Sequence, residues 1–201
     1  MNVRSVSCSS GTTAASALPS CDLTRTAKAS TSSVINNEAA IGSALRQLGA
    51  SLRMIGDGDI AAAIAPSLPE ADVDLYMGIG GAPEAVLAAA AIKCLGGDMQ
   101  CRMWPRDEKE RKSLVADGHE QDLDRIFSAD DLAHGQNIIF CATGISDSAL
   151  LQGVRARGGV TAITHSILMR AKSKTVRFVR ARHDLQIKTI RLRSDNREHI
   201  L

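Results

Sequence analysis

Short apolar runs alternate with helix-like segments from residue 34 onward, and this pattern predicts an α/β protein. Four runs have the length and composition of strands: "SLRMI" (51–55), "DVDLYMGI" (72–79), "DMQCRMW" (98–104) and the wholly apolar, buried "NIIFCATGI" (137–145). Two alanine-rich segments lie between them as predicted helices: "IAAAIA" (60–65) and "APEAVLAAAAIKCLGG" (82–97). Strand, glycine turn, helix and strand in this order are typical of a parallel sheet flanked by helices.

The remaining elements follow from capping signals and from a change of period near the C-terminus. Gly49 is a helix terminator that ends a predicted helix over 35–50, and Ser128 with Asp131 is a predicted N-cap. A charged surface helix is predicted over 107–117 and a polar helix around 146–154. From 162 to 193 the apolar residues alternate, which predicts antiparallel strands with a basic outer face.

The first 33 residues differ in kind from the rest of the chain. They are rich in Ser, Thr and Ala and carry no helical or strand period. Such a composition favours disorder. The sequence therefore predicts two parts, a disordered leader over 1–33 and an α/β portion over 34–201.

Composition and charge exclude several classes of function. The formal net charge of +2 asks for no polyanionic partner, and the basic C-terminal strands offer Phe178 as their one aromatic side chain, which makes no stacking platform for nucleic acid. The five cysteines form no C-x-x-C pair, and Cys94 and Cys141 are predicted to be buried free thiols. The longest apolar run falls far short of the ~20 residues that cross a bilayer. We expect a soluble, cytoplasmic protein with no nucleic-acid or membrane partner.

The turn "GIGGAPE" (78–84) is the first candidate site. It nearly matches the dinucleotide-binding G-x-G-x-x-G, but Pro83 holds the third glycine position and no acid follows to bind a ribose. What the turn offers is backbone N–H groups at Gly80 and Gly81, a helix dipole and the carboxylate of Glu84. Glu84 is either a capping acid worth ~0.3–1 kcal/mol or a ligand for a hard divalent cation.

A second candidate is "DGD", Asp57-Gly58-Asp59, after the preceding predicted strand. The carboxyl ends of parallel strands open onto one crevice, so Asp57, Asp59 and Glu84 are expected at a single rim, where they suit sugar hydroxyls or a metal. The alternative is that Asp59 starts a helix as its cap.

A third candidate is the pair Arg155 and Arg157, whose guanidinium groups suit phosphate oxygens. The alternative is a solvated turn. His165 lies in an alternating apolar stretch and is interpreted as a strand histidine whose hydrogen bonds are satisfied.

Four segments together resemble the class II fructose-1,6-bisphosphatases over roughly residues 41–183: "LRMIGDGDIAAAIA", "MGIGGAPEAVLAAAAIKCLGGDMQCRM", "FCATGISDSALLQGVRARGG" and "THSILMRAKSKTVRFV". The resemblance implies the layered, inositol-phosphatase-like fold of the sugar phosphatases, with a mixed sheet and flanking helices. It also implies hydrolysis of the 1-phosphate of fructose 1,6-bisphosphate, and in some members of sedoheptulose 1,7-bisphosphate, with Mn²⁺ or Mg²⁺. Such enzymes serve gluconeogenesis and glycerol or Calvin-type carbon metabolism.

The same resemblance assigns residues to roles. Glu84 matches a metal-binding glutamate, and Asp57, Gly58, Asp59 and Gly81 match positions that bind the sugar bisphosphate; no catalytic residue is assigned. The partner implied is the sugar bisphosphate, and the assembly expected is a homo-oligomer.

Two departures from the family pattern bear on activity. The family's N-terminal portion, which supplies most of the metal carboxylates, finds no match in residues 1–33, and a Lys-Pro-Arg-like substrate patch appears here as Ile35-Asn36-Asn37. We therefore expect an incomplete, C-terminal portion of the fold. The alternatives to an active phosphatase are a catalytically incomplete partner of an intact subunit and a sugar-phosphate binding module.

Overall fold

The structure of the 201-residue chain is a computed structural model that describes residues 2–8, 32–36, 46–47, 49–56, 58–187, 191–194 and 197–200. For residues 2–8, 32–36, 191–194 and 197–200 it describes the backbone alone. No helix among the described residues is long and apolar enough to span a membrane.

Six strands form the first sheet, in the order β3-β2-β4-β1-β5-β6. Their bounds are β1 Asn2–Cys8, β2 Ser32–Asn36, β3 Ser51–Ile55, β4 Leu75–Gly81, β5 Asp98–Met103 and β6 Phe127–Ser128. Strand β2 is parallel to both β3 and β4, so these three strands end at the same edge of the sheet. Strand β1 is antiparallel to β4 and β5, and β6 is antiparallel to β5. The sheet is mixed, as the resemblance implies; the strand, turn and helix pattern by itself predicts a parallel sheet, and this holds for β2, β3 and β4 but not for β1 and β6.

Among the described residues, four α-helices with defined ends and two short 3₁₀ segments follow these strands. The helices are α1 Asp59–Ile64, α2 Ala82–Leu95, α3 Glu108–Ala116 and α4 Ala129–Leu132, and the 3₁₀ segments are Ala65–Ser67 and Glu120–Asp122. Helix α2 has Pro83 in its first turn and ends at Gly96, which has a φ of 86° and whose N–H donates to the Ile92 carbonyl oxygen. The Ser128 and Asp131 side chains form a reciprocal capping box at α4, which confirms the predicted N-cap.

A second, antiparallel sheet is built on β9. Its strands are β7 Ile139–Thr143, β8 Arg155–Arg157, β9 Thr161–Arg170 and β10 Thr175–Asp184, and each of the other three pairs with β9. A separate hairpin joins β11 Arg191–Ser194 to β12 Arg197–Ile200. The predicted antiparallel C-terminal strands are confirmed.

Helix α2 lies between the two sheets and contributes to two cores. It contacts β1, β4 and β5 of the first sheet and β7, β9 and β10 of the second. Ala89 and Ile92 belong to a core with Tyr76 and Met99, whereas Ala91 and Cys94 belong to a core with Ile167, Met169 and Phe140. A helix that is apolar on opposite faces is buried on both, and alanine side chains allow both sheets to approach closely.

Two predictions about the segment 137–154 are wrong. No helix forms at 146–154, because the Ser148 hydroxyl accepts the N–H groups of Leu150 and Leu151, and the Asp147 carboxylate accepts that of Gly153. Such local side-chain bonds compete with helix formation. Strand β7 is only half buried, with Phe140 8% and Ile139 67% exposed. It is an edge strand, and only one face of its sheet is covered here.

The segment 1–50 differs in part from its predicted pattern. Strand β1 and the start of β2 lie within residues 1–33, where the sequence predicts no strand. Strand β1 pairs on both sides, and this backbone pairing requires no hydrophobic period. Residues 9–31 lie outside the described residues, and the division at residue 33 stays a prediction. Of the helix predicted over 35–50, the structure describes helical residues at 46–47 and a φ of 77° at Gly49, while β2 occupies its first two positions.

Candidate functional site

The two segments that follow β3 and β4 lie at one edge of the first sheet. Both strands are parallel to β2, so α1 after β3 and α2 after β4 begin on the same side. This is the edge at which open α/β sheets bind ligands. The glycine turn therefore lies close to Gly58 and Asp59, the two described residues of "DGD", because parallel strands end at the same edge, as expected from the sequence.

Glu84 occupies the third position of α2 and folds back over the start of its own helix. A β-carbon built on Gly81, the N-cap residue, would overlap the Oε2 atom of Glu84. The carboxylate thus lies at the N-terminus of a 14-residue helix, where the helix dipole stabilises a negative charge. This is where a capping acid lies, and the side chain is also exposed to solvent at that edge.

Asp59 approaches the same turn from α1. It is the first residue of that helix and is half-buried, and its Oδ2 atom lies 3.6 Å from the position of a β-carbon on Gly80. Gly80 and Gly81 are consecutive, so the carboxylates of Asp59 and Glu84 rest against neighbouring glycines. The structure brings Asp59, Gly81 and Glu84 together; their roles stay predictions.

A recess lies between these two carboxylates, with an apolar floor. Its lining comprises Asp59, Ile60, Ala63, Tyr76, Gly80, Gly81, Glu84, Ala85 and Ala88. Tyr76 is 1% exposed and lies on the same face of β4 as Gly80. Small residues at 63, 85 and 88 let α1 and α2 pack close to that face. The recess therefore has carboxylates at its rim and mainly apolar side chains beneath them.

Of the other two "DGD" residues, the structure describes Gly58 but not Asp57. Gly58 precedes α1 with a φ of 83° and is exposed, and a β-carbon there would meet open space. Its glycine is explained by the left-handed backbone alone. Asp57 lies outside the described residues, and its predicted contact with substrate stays a prediction.

The donor set at this rim suits a divalent cation that is only partly held by the protein. Among the described residues, no three His, Cys, Asp or Glu side chains are placed to share an ion. Asp59 and Glu84 provide two carboxylates at one recess. Mg²⁺ is typically bound by one or two carboxylates together with water and substrate phosphate oxygens. The two residues fit that chemistry, with further ligands required from elsewhere.

The other sequence candidates lie outside this recess. Arg155 and Arg157 are exposed on β8, and Arg155 is already engaged by Asp147. His165 is half-buried on β9, where it lines a second recess with Phe178 and Arg180. The structure thus separates these basic residues from the glycine turn.

Sequence reasoning missed Tyr76 as part of the site. The available signal was its period: 76, 78 and 80 share one face of a strand, and the two positions beside Tyr76 on that face are glycines, which have no side chain.

The chain is similar in sequence to one protein family and to several known relatives. The family model described as bacterial fructose-1,6-bisphosphatase, glpX-encoded, matches residues 11–183. A class 2 fructose-1,6-bisphosphatase of Haemophilus influenzae is 41% identical over 152 residues, which are 70% of this chain and 45% of the relative. D-fructose 1,6-bisphosphatase class 2/sedoheptulose 1,7-bisphosphatases of Synechococcus elongatus and a Synechococcus sp. are each 38% identical over 162 residues, 74% of this chain and 46% of the relative. The chain spans a little under half the length of these relatives.

Proposed function

Because this chain belongs to the bacterial, glpX-encoded fructose-1,6-bisphosphatase family, we propose that it takes part in the hydrolysis of the 1-phosphate of fructose 1,6-bisphosphate to fructose 6-phosphate. The observation that carries the proposal is the pair of carboxylates, Asp59 and Glu84, resting against consecutive glycines at one recess. A bisphosphate needs both a counter-charge for its phosphates and hydrogen-bond acceptors for its sugar hydroxyls. The carboxylates supply the acceptors directly, and they would supply the counter-charge through a divalent cation that they bind.

Glu84 is proposed to hold Mn²⁺ or Mg²⁺. A bound divalent cation polarises a phosphoryl oxygen, lowers the pKa of a bound water and neutralises charge that develops in the transition state. Without a cation, a carboxylate at this helix start would repel a substrate phosphate. Placing Glu84 there is consistent with a site in which negative charge on the protein and negative charge on the substrate share a counter-ion.

The other residues of the rim are proposed to bind and orient the sugar. The Asp59 carboxylate, with Asp57, would accept hydrogen bonds from sugar hydroxyls. The first N–H groups of a helix lack intrahelical partners, so those near Gly81 can donate to an oxyanion of the substrate. Positioning and charge stabilisation supply most of the rate in such reactions.

The detailed architecture, the cellular location and the assembly are also proposed from the membership of this family. The layered, inositol-phosphatase-like architecture is supported by the mixed sheet and by the helix between two sheets. We propose the cytoplasm as the location and a homo-oligomer as the assembly. Size-exclusion chromatography with light scattering tests the assembly directly.

The test of the proposed function is phosphate release from fructose 1,6-bisphosphate in the presence of Mn²⁺. Glu84→Gln keeps the side-chain shape and removes the charge, and we expect a loss of about 10² or more, the cost of removing one group that stabilises transition-state charge. Glu120→Gln, at an exposed position that does not line the recess, is the matched control. Full activity in Glu84→Gln, or none in the wild-type chain, contradicts the proposal. Sedoheptulose 1,7-bisphosphate in the same assay measures substrate preference.

The lack of a three-ligand group among the described residues favours a second candidate, a chain that binds without turnover. Isothermal titration that shows binding of the sugar bisphosphate without phosphate release would support a binding module. Co-purification with a full-length relative, with no activity in the chain alone, would support a non-catalytic partner.

A further inference from the structure

We propose that Gly81 is a positioning residue for Glu84: the missing side chain at position 81 is what lets the Glu84 carboxylate rest at the start of α2, facing the recess. The resemblance gives Gly81 a direct contact with substrate, which stays a prediction, and the structure adds a reason why this position has no side chain. This inference rests on the proposed function, in which Glu84 is a cation ligand.

The backbone of Gly81 does not itself require glycine. Its φ of −74° and ψ of 159° lie in the extended region, which every L-residue adopts. Gly58 provides the contrast, because its φ of 83° favours glycine while its surroundings are open. Glycine is favoured at position 81 because a side chain would have no space there, and not because of the backbone conformation.

The atom that fills this space belongs to Glu84. A β-carbon on Gly81 would overlap the Oε2 atom and lie 3.2 Å from the Cδ atom of that side chain, whereas the Pro83 Cδ atom, at 3.5 Å, is in ordinary contact. The obstacle is therefore the far end of a flexible, exposed side chain. An alanine at position 81 would be accepted by the fold, and the carboxylate would have to leave its place.

The neighbouring glycine provides a matched control. A β-carbon on Gly80 would lie 3.6 Å from the Asp59 Oδ2 atom, an ordinary van der Waals separation. Gly80→Ala adds the same methyl group, one residue away, at the same recess. It should leave both carboxylates where they are.

The experiment measures binding of Mn²⁺ alone to the full chain, from the electron paramagnetic resonance signal of the free ion. The proteins compared are wild type, Gly80→Ala, Gly81→Ala, Glu84→Gln and the double variant Gly81→Ala/Glu84→Gln. We expect Gly81→Ala to weaken Mn²⁺ binding by about 10-fold or more, as is typical when a residue that orients a metal ligand is changed. Gly80→Ala should leave Mn²⁺ binding unchanged. Because Gly81 acts through Glu84, the double variant should bind Mn²⁺ no more weakly than Glu84→Gln.

Three results would overturn the inference: wild-type Mn²⁺ affinity in Gly81→Ala, additive losses in the double variant, or no Mn²⁺ binding by the wild-type chain. A direct substrate role for Gly81 would instead weaken fructose 1,6-bisphosphate binding with Mn²⁺ affinity unchanged, and would also overturn it. Thermal unfolding of Gly81→Ala close to that of Gly80→Ala would exclude a merely structural effect. Failure of the proposed function is seen separately, as Mn²⁺ binding in the wild-type chain without phosphate release.

Discussion

Arg155 donates hydrogen bonds from its Nη2 atom to both carboxylate oxygens of Asp147, at 2.8 and 2.7 Å. The N–H of Gly153 donates to the same carboxylate at 2.8 Å. Asp147 therefore connects the beginning of the irregular segment between β7 and β8 to its end. An arginine held in this way is part of the fold of that segment.

Asp147→Asn is expected to lower stability near neutral pH and to lose this effect in acid. The Gly153 N–H first, and then the Arg155 guanidinium, hold the pKa of Asp147 below its ordinary value of 3.8. Because the pKa is lower in the folded than in the unfolded chain, the carboxylate stabilises the fold above the unfolded value. This contribution disappears as the pH falls through the folded value. The urea midpoints of wild type and variant should therefore differ near pH 7 and converge in acid, as the pH falls through the lowered pKa of the folded state.

Asp72→Asn is the control for this pH dependence, because Asp72 is exposed and outside the segment. Its urea midpoint should follow that of the wild type at both pH values. A gap between wild type and Asp147→Asn that stays constant from neutral to acid would show that the charge of Asp147 plays no part.

Lys93→Met should destabilise the contact between α2 and the segment after α4. The Lys93 ammonium donates to the carbonyl oxygens of Ala133 and Gly135 at 2.7 and 2.9 Å and lies 2.5 Å from Asp130, while its side chain is only 14% exposed. Methionine fills a similar volume but leaves those carbonyl groups without this donor, at a cost of about 1–3 kcal/mol. Chemical denaturation measures the loss. Lys112→Met, at an exposed position of α3, should change the free energy of unfolding by less than about 0.5 kcal/mol, and an equal loss in both variants would contradict this account.

Local signals explain which elements were predictable. Pro83 and Gly96 define the ends of α2, and Ser128 with Asp131 caps α4, because each acts on backbone groups a few residues away. The segment 146–154 has the composition of a helix, yet Asp147 and Ser148 bind backbone groups that a helix would have used. Choosing between these outcomes requires knowing that Arg155 lies within reach of Asp147, which the sequence alone does not give.

The site was predictable as far as strand direction determines it. That Asp59 and Glu84 share a rim follows from the parallel direction of β3 and β4. That Tyr76 lies on the same face as Gly80 follows from the period of β4, a signal that the sequence contains. That the Glu84 side chain folds back over Gly81 depends on its rotamer, which the hydrophobic pattern does not determine.

Ile92→Ala should cost about 2–5 kcal/mol of unfolding free energy, because it removes a fully buried side chain from the core beneath the first sheet. Alanine favours a helix, so the loss would come from packing and not from the helix itself. Leu87→Ala is the control in the same helix, at a position that is 48% exposed, and should cost less than Ile92→Ala. Urea denaturation of the two variants gives the comparison. Equal losses would show that α2 is not buried as described.

Three of the cysteines should react at different rates with iodoacetamide in the native protein. Cys94 and Cys101 are buried, whereas Cys141, predicted from the sequence to be buried, is exposed on β7. Burial, followed by the charge of Asp131, raises the pKa of Cys101 to about 11, and burial also raises that of Cys94. Since the thiolate is the reacting species, burial and a raised pKa both slow the reaction of Cys94 and Cys101, and the exposed Cys141 should react first. Peptide mapping after a brief treatment near pH 8 should find Cys141 modified and the other two intact, while the same treatment in urea should modify all three. Labelling of Cys101 as fast as Cys141 in the native chain would contradict the core formed by β5 and α2.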